Sequence, residues 1–260
     1  MNIVVPVKPV PDLVEELQIA ASGTALDEDA VRLILNELDE HAIEQAILLK
    51  ERGGGQVTVM ILDGDWADDV LYTAAAKGAD RLIKLARDFE GSLTNHTLAH
   101  IFAAAIQGLQ PDLVLTGVQA HDDLDGSLGP LLAELLRMPY VGYIAGVTVT
   151  NDQCIVRKEY PGALVAEMQV WLPAVLGIQA ADEPPRYVAV SKVRQAMKTT
   201  TIEEQGVLTL LTATELEPSG GPAISRMFKP EVGERATMLE GDETAIAAQL
   251  VGIFQELGVL

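Results

Sequence analysis

The chain has 260 residues, 48% of them hydrophobic, and 38 Asp and Glu against 18 Lys and Arg give a formal net charge of −20. That length and apolar content support a full core and exclude global disorder. The charge excludes nucleic acid and anionic membrane as targets, because no cationic surface exists to neutralise phosphates, and it suits steering toward a basic partner. A single cysteine, Cys154, excludes an internal disulfide or a cysteine-based metal cluster, and its apolar neighbours Ile155 and Val156 make it a buried small hydrophobe. The N-terminus has no basic, long apolar leader, and no apolar run approaches the ~20 residues of a membrane span. A cytoplasmic location without membrane insertion is therefore expected.

In chain order, Ile3–Val7 is a β-branched, nearly continuous apolar run, typical of a strand covered on both faces. Leu38, Ala42, Ile43, Ala46, Ile47 and Leu49 then follow a helical rhythm that Gly53-Gly54-Gly55 stops. Val57–Leu62 repeats the strand type, Val70–Ala75 forms a helix ending at Gly78, and Arg81–Leu85 forms a strand. Leu98, Ile101, Phe102, Ala105 and Ile106 mark a helix ending at Gly108, with Thr94 and Asn95 as its N-terminal signals, and Leu113–Leu115 is a strand. Strands alternating with such helices predict βαβ units: an α/β fold with a mostly parallel, doubly wound, Rossmann-like sheet. After Pro139 the pattern changes. Asn151-Asp152 joins two alternating segments as a hairpin turn, Gly162–Trp171 alternates again, and Ala174–Ile178 is a further apolar run, which together predict an antiparallel extension. From Asp182 periodicity is lost until a helical stripe at Glu243–Leu257. The expected division is an α/β nucleotide-binding domain over 1–182 and a coreless arm over 183–260 that wraps a partner.

The densest signal is Gly117-Val118-Gln119-Ala120-His121-Asp122-Asp123-Leu124-Asp125-Gly126-Ser127-Leu128-Gly129-Pro130, between a strand and a helix start. In an open α/β sheet such a loop lies at the carboxyl end of a strand, where ligands bind, and the helix's exposed N–H groups suit a phosphate. The loop holds three Asp and no Lys or Arg, so a phosphate would rest on backbone N–H groups, the helix end and Ser127. Catalytic readings fail on residue type. Asp125-Gly126-Ser127-Leu128-Gly129 lacks the first glycine of a nucleophile elbow. Asp123, Asp125, Ser127 and Glu134 have calcium-loop spacings, but Leu128 stands at the glycine position. His96 and His100 share a helix face without a third ligand. Ser219-Gly220-Gly221 resembles the start of a pyrophosphatase loop but runs into Pro222. Neither a dinucleotide Gly-x-Gly-x-x-Gly nor a Walker pattern is present. A nucleotide-type cleft without a catalytic constellation suggests a binding or carrier subunit, not an enzyme. A small α/β hydrolase or nucleotide-metabolising enzyme is the alternative.

Five segments in order resemble the β subunit of electron transfer flavoproteins (the FixA family): Val7-Lys8-Pro9-Val10-Pro11-Asp12, Asn36–Ala46, Ala74–Arg81, Gly117–Gly129 and Glu183-Pro184-Pro185-Arg186-Tyr187. The resemblance implies an αβ heterodimer carrying electrons from flavin dehydrogenases, such as acyl-CoA dehydrogenases, to a quinone oxidoreductase or another acceptor. It implies FAD shared with the α subunit, faced by Leu13 and Leu38, and AMP, or in bifurcating members a second FAD, in this chain's cleft. The cleft walls would be Pro6, Asn36, Glu37, Leu38, Asp39, Leu62 and the loop residues Gly117, Gln119, Ala120, Asp122, Asp123, Gly126, Ser127, Leu128 and Gly129. The N–H groups of Gly126, Ser127 and Leu128 would meet the phosphate. Arg186, Tyr187, Val190 and Val193 would bind the partner, with Val190 as the apolar anchor. The chain departs from the family pattern at Glu37, where Pro is usual, at Gly126-Ser127-Leu128, where a more polar triplet is usual, and at Lys198-Thr199-Thr200-Thr201, where a Lys-rich run is usual.

Overall fold

The computed structural model describes the chain except residues 28, 90–92, 124–125, 213–215, 217–223, 231–235, 237 and 260. Its elements follow the alternation that the sequence predicts. They are β1 (Asn2–Val7), β2 (Pro9–Pro11), β3 (Leu33–Leu35), α1 (Glu37–Gly53), β4 (Gln56–Leu62), α2 (Ala67–Lys77), β5 (Arg81–Ala86), α3 (Asn95–Gln107), β6 (Leu113–Gly117) and α4 (Leu128–Leu136). There follow β7 (Tyr140–Thr150), β8 (Gln153–Tyr160), β9 (Leu164–Trp171), β10 (Ala174–Ile178), α5 (Val190–Thr199), β11 (Ile202–Gly206), α6 (Val207–Leu210) and α7 (Glu243–Glu256). The main sheet has the order β11-β5-β4-β1-β6-β10-β7-β8-β9, and β2 and β3 form a separate antiparallel pair.

Seven neighbouring strands from β11 to β7 run parallel, and β8 and β9 continue antiparallel beyond them. The turn pair thus foretells the β7–β8 hairpin, with Asn151 at φ 54° at its tip, but Ala174–Ile178, expected in the extension, is β10 and runs parallel between β6 and β7. Strands covered on both faces need apolar residues at every position. Ile3, Val5, Leu113, Leu115 and Leu176 pack with Ala42, Ile43, Ala46, Leu71 and Ala74 of α1 and α2. Val4, Met60, Ile83, Val114 and Val175 pack with Leu98, Ile101, Phe102 and Leu132 of α3 and α4. Each fully buried Val, Leu, Ile, Phe or Met side chain among them contributes roughly 1.5–3 kcal/mol of transfer free energy.

Helix ends follow the sequence punctuation. α1 carries Glu37, Asp39 and Glu40 in its first turn and Lys50 and Arg52 in its last, the charge order a helix dipole favours, and Gly54 follows it at φ 73°. Thr94 caps α3 by accepting from the Thr97 N–H.

The expected division at residue 182 also needs correction. Residues 183–225 belong with the first unit rather than with a coreless arm, because α5 packs on α2 and β11 pairs with β5 from Ile202↔Leu82 to Gly206↔Ala86. These elements lack an apolar period for a physical reason. β11 is an edge strand fastened by backbone bonds and by Arg81–Glu203 and Lys84–Glu204 ion pairs, at 2.6 and 2.8 Å, and only Ala196 of α5 is buried. Residues 1–225 form one compact unit and residues 226–260 another. In the second, Asp242 caps α7 by accepting from the Ala245 N–H, and no residue of α7 is buried.

Candidate functional site at the carboxyl end of the sheet

The chain runs outward from β1 through β4 and β5 in one direction, then resumes at β6 on the other side of β1. Such a reversal opens a crevice beyond the strand ends. Pairing between β1 and β6 stops at Val4↔Val114, while β1 and β4 stay paired to Val7↔Ile61. Pro6, buried and without an N–H to donate, sits where that separation begins. The loops after β1 and β6 flank the crevice.

Asp39 organises it. This residue is 3% exposed, and its two carboxylate oxygens accept the Lys8 N–H at 2.9 Å and the Gly117 N–H at 2.8 Å. Burial pushes its carboxyl up to about 6, and the two N–H bonds hold it from rising further. The approach leaves no room at Gly117, where a Cβ would lie 2.5 Å from Asp39 Oδ1 and 2.8 Å from the Leu38 carbonyl carbon. Asn36, also buried, turns its side chain away from capping α1 and donates to the Gln119 carbonyl at 3.1 Å.

The loop's missing cation comes from β1's own exit. Lys8 Nζ lies 2.9 Å from Asp122 and 2.5 Å from Asp123. Burial opposes the Lys8 charge, yet the Asp122 and Asp123 carboxylates outweigh it and hold the ammonium above its usual range. Asp123 also accepts from Asn95 at the start of α3 and from the Ala120 N–H. His121 Nε2 is 2.8 Å from the Pro11 carbonyl, which can only accept, so the ring donates there. Lys8, Asn95 and His121 were missed as site residues. Lys8 carried a signal, standing in the Val7–Asp12 motif directly after the central strand.

Gly126 at φ 56° turns the chain into α4, whose Leu131 N–H bonds the Ser127 carbonyl. Gly129 abuts the Tyr140 ring, which Gly142 and Gly177 also enclose so closely that a Cβ on either would fall within 2.6 Å of the phenol oxygen. Burial pushes that phenol up to about 12, so it stays a donor. The structure thus brings Pro6, Asn36, Asp39, Gly117, Gln119, Ala120, Asp122 and Asp123 around one crevice. Gly126, Ser127, Leu128 and Gly129 form the start of α4. Glu37 is exposed on the first turn of α1 beside the half-buried Leu38, and the Leu62 side chain is committed to the core on the α3 side. Leu13 is 62% exposed on the segment that follows β2, where Asp12 accepts from the Val14 N–H. Residues 124 and 125 of the same loop lie outside the described residues, as do residues 219–222.

Arg186, Tyr187, Val190 and Val193 form a separate group. Arg186 is bound to Glu44 and Glu51 of α1, while Tyr187 and Val190 are exposed. Ser127 has φ −96° and a buried Oγ, unlike the strained, exposed serine of a nucleophile elbow. An open cavity of about 710 Å³ lies at the opposite, amino ends of the strands, lined by Met1, Leu49, Arg52, Asp112 and Leu172. Open α/β sheets do not bind their ligands at that end. Among the described residues no helix is long and apolar enough to cross a membrane, and no three His, Cys, Asp or Glu side chains gather as metal ligands.

The electron transfer flavoprotein domain matches residues 23–209 of the chain. An electron transfer flavoprotein subunit beta of Methylophilus methylotrophus is 32% identical over 98% of both chains. The FixA protein of Azorhizobium caulinodans is 31% identical over 96% of this chain and 92% of its own. An acryloyl-CoA reductase electron transfer subunit gamma of Anaerotignum propionicum is 34% identical over 75% of this chain and 74% of its own. The order of the sheet, the crevice at its switch point and these matches agree: the chain belongs to the electron transfer flavoprotein β-subunit and FixA family.

Proposed function

We propose that this chain is the β subunit of a cytoplasmic heterodimeric electron carrier, with AMP in its own crevice and FAD shared with an α subunit. Electrons pass from flavin dehydrogenases, such as acyl-CoA dehydrogenases, through the FAD to a quinone oxidoreductase or another acceptor. FAD supplies the redox chemistry when bound. This chain's residues that would hold it are Leu13, presented by the Asp12 turn, and Leu38 on the first turn of α1, which would face the isoalloxazine. The exposed stripe of α7, through Leu250, Val251, Phe254 and Leu257, suits an arm that packs on the α subunit.

The observation that carries the nucleotide reading is the fixed loop whose cation is spent. Lys8 is taken up by Asp122 and Asp123, so a phosphate is met by the backbone N–H groups of Gly126, Ser127 and Leu128 at the start of α4. Each favourable helix-end interaction contributes ~0.3–1 kcal/mol, enough to orient one phosphate. With acidic side chains at the rim and no free cation, a single phosphate suits this crevice better than a pyrophosphate, which favours AMP over a second FAD. The buried Ser127 Oγ and the engaged His121 ring support carriage over hydrolysis.

Denaturing the co-expressed heterodimer and separating its released nucleotides tests this reading. One FAD and one AMP per heterodimer are expected, with little flavin retained by this chain alone. Two FAD and no AMP would reassign the crevice to a bifurcating carrier.

A further inference from the structure

The connector between β10 and α5 is fastened along one side of α1. The Ala181 N–H donates to His41 Nδ1, Asp182 exchanges two hydrogen bonds with Gln45, and Arg52 bonds the Asp182 carboxylate at 2.5 Å. Arg186 is the last and strongest fastening. Its backbone N–H and Nε donate to Glu44, each at 2.9 Å, and Nη2 also lies 2.9 Å from that carboxylate. Nη1 and Nη2 reach the two oxygens of Glu51 at 2.7 and 3.0 Å, and Nη1 also reaches the Lys77 carbonyl at the end of α2. A guanidinium has five N–H donors in a planar fork; four of them make hydrogen bonds here, to Glu44, Glu51 and the Lys77 carbonyl. Glu44 is only 2% exposed, so its charge depends on Arg186.

Immediately beyond, the chain becomes a surface. Tyr187 is 89% and Val190 63% exposed, and Met197 projects from the same helix. α5 carries Lys192, Arg194 and Lys198 and no acidic residue, in a chain whose net charge is −20. Ala196 is its one buried residue, and the helix packs on α2.

We propose that Arg186 is a positioning residue: bound to Glu44 and Glu51, it sets the angle at which Tyr187, Val190 and Met197 meet an apolar, acid-rimmed pocket of an electron-donating partner, without touching that partner. The inference rests on the expectation that Tyr187, Val190 and Val193 meet the partner. It separates Arg186 from Tyr187 and Val190, with which the sequence groups it. A guanidinium committed to Glu44, Glu51 and the Lys77 carbonyl contributes to docking through the backbone it holds. Lysine at this position keeps the charge but cannot bridge two carboxylates.

The test uses the intact heterodimer and four forms of this chain: wild type, Arg186→Lys, Arg186→Gln with Glu44→Gln, and Val190→Asp. The double variant removes both charges, so no unpaired carboxylate is left buried, and an Asp at the first position of α5 favours the helix. An acyl-CoA dehydrogenase reduced by its acyl-CoA serves as electron donor, and amide hydrogen exchange is followed in the same preparations. Both Arg186 variants are expected to raise the KM for the dehydrogenase roughly tenfold, within the span measured for coupled residues. They should leave kcat within about twofold, leave bound FAD and AMP unchanged, and speed exchange over residues 187–199 but not over β1, β4 or β6. A loss of stability alone would not move KM apart from kcat. If Val190→Asp raises KM while the Arg186 variants do not, or if exchange over 187–199 is unaltered, the positioning role is overturned and the contact reading stands. If Val190→Asp leaves KM unchanged, the contact reading falls and the proposal with it.

Discussion

At the amino end of α1 the Asp39 carboxylate takes two backbone N–H groups away from water, whereas farther along the helix Glu44 and Glu51 take up one arginine side chain. The two sites are twelve residues apart at their limits, roughly 18 Å along the helix. The first is buried, joins three chain segments by their backbones, and tolerates no added atom at Gly117. The second is part-exposed, joins the Arg186 side chain and backbone N–H to two carboxylates, and leaves an exposed surface of Tyr187, Val190 and Met197 beyond it. The contrast fits the two tasks proposed for this chain. A bound nucleotide needs backbone donors held still before it arrives, while a surface for passing contacts needs only its root held and its apolar tip exposed.

The largest expected effect comes from filling the space at the first site. In Gly117→Ala the new Cβ would meet Asp39 Oδ1 at 2.5 Å and the α1 backbone at 2.8 Å, and that backbone cannot swing aside. A loss of about 3 kcal/mol or more in chemical denaturation of the heterodimer, with loss of the bound nucleotide, is expected. A loss under about 0.5 kcal/mol would show that the loop root is not rigid.

A smaller, pH-dependent effect comes from Asp39 itself. Its carboxyl is pushed up to about 6 from an ordinary 3.8, so between those values the folded state binds more protons than the unfolded. Its contribution therefore rises as pH falls from 7 toward 4 and is lost as pH rises through 6, by up to roughly 3 kcal/mol. Glu51 and Glu203, whose carboxyls are held below the usual range by Arg186 and Arg81, have the opposite sign. Comparison with Asp39→Asn isolates the one group. The stability of wild type relative to the variant, from urea midpoints at pH 7, 6 and 5, should increase as pH falls. Parallel curves would contradict the buried, ionisable staple.

The smallest effect is expected at the second site's tip. Tyr187→Ala removes an exposed side chain and should change the melting free energy by less than about 0.5 kcal/mol while weakening dehydrogenase coupling. A large loss of stability there would erase the contrast between root and tip.

How far the sequence could be read differs between the two sites in the same way. The alternation of apolar runs and helical stripes made the parallel core visible, because double coverage of a strand leaves a continuous apolar signature, as in Ile3–Val7. Gly53–Gly55, Gly78 and Thr94 marked helix ends because capping is local. β11 left no such mark. Ile202-Glu203-Glu204-Gln205-Gly206 is held at an edge by backbone bonds and ion pairs, and neither depends on apolar period. The antiparallel β2–β3 pair, built on Pro9-Val10-Pro11, was hidden for the same reason.

The sequence by itself determined the α/β class, the loop at the end of β6, the start of α4 and the family, because each is written in contiguous residues. Only the tertiary structure decided where the charges go. Lys8 neutralises a loop 115 positions away, and Arg186 saturates a helix 142 positions away. Local spacing carries no information about such pairs. They form because closing the sheet around β1 brings distant ionic groups out of water together, where each needs a partner of opposite charge.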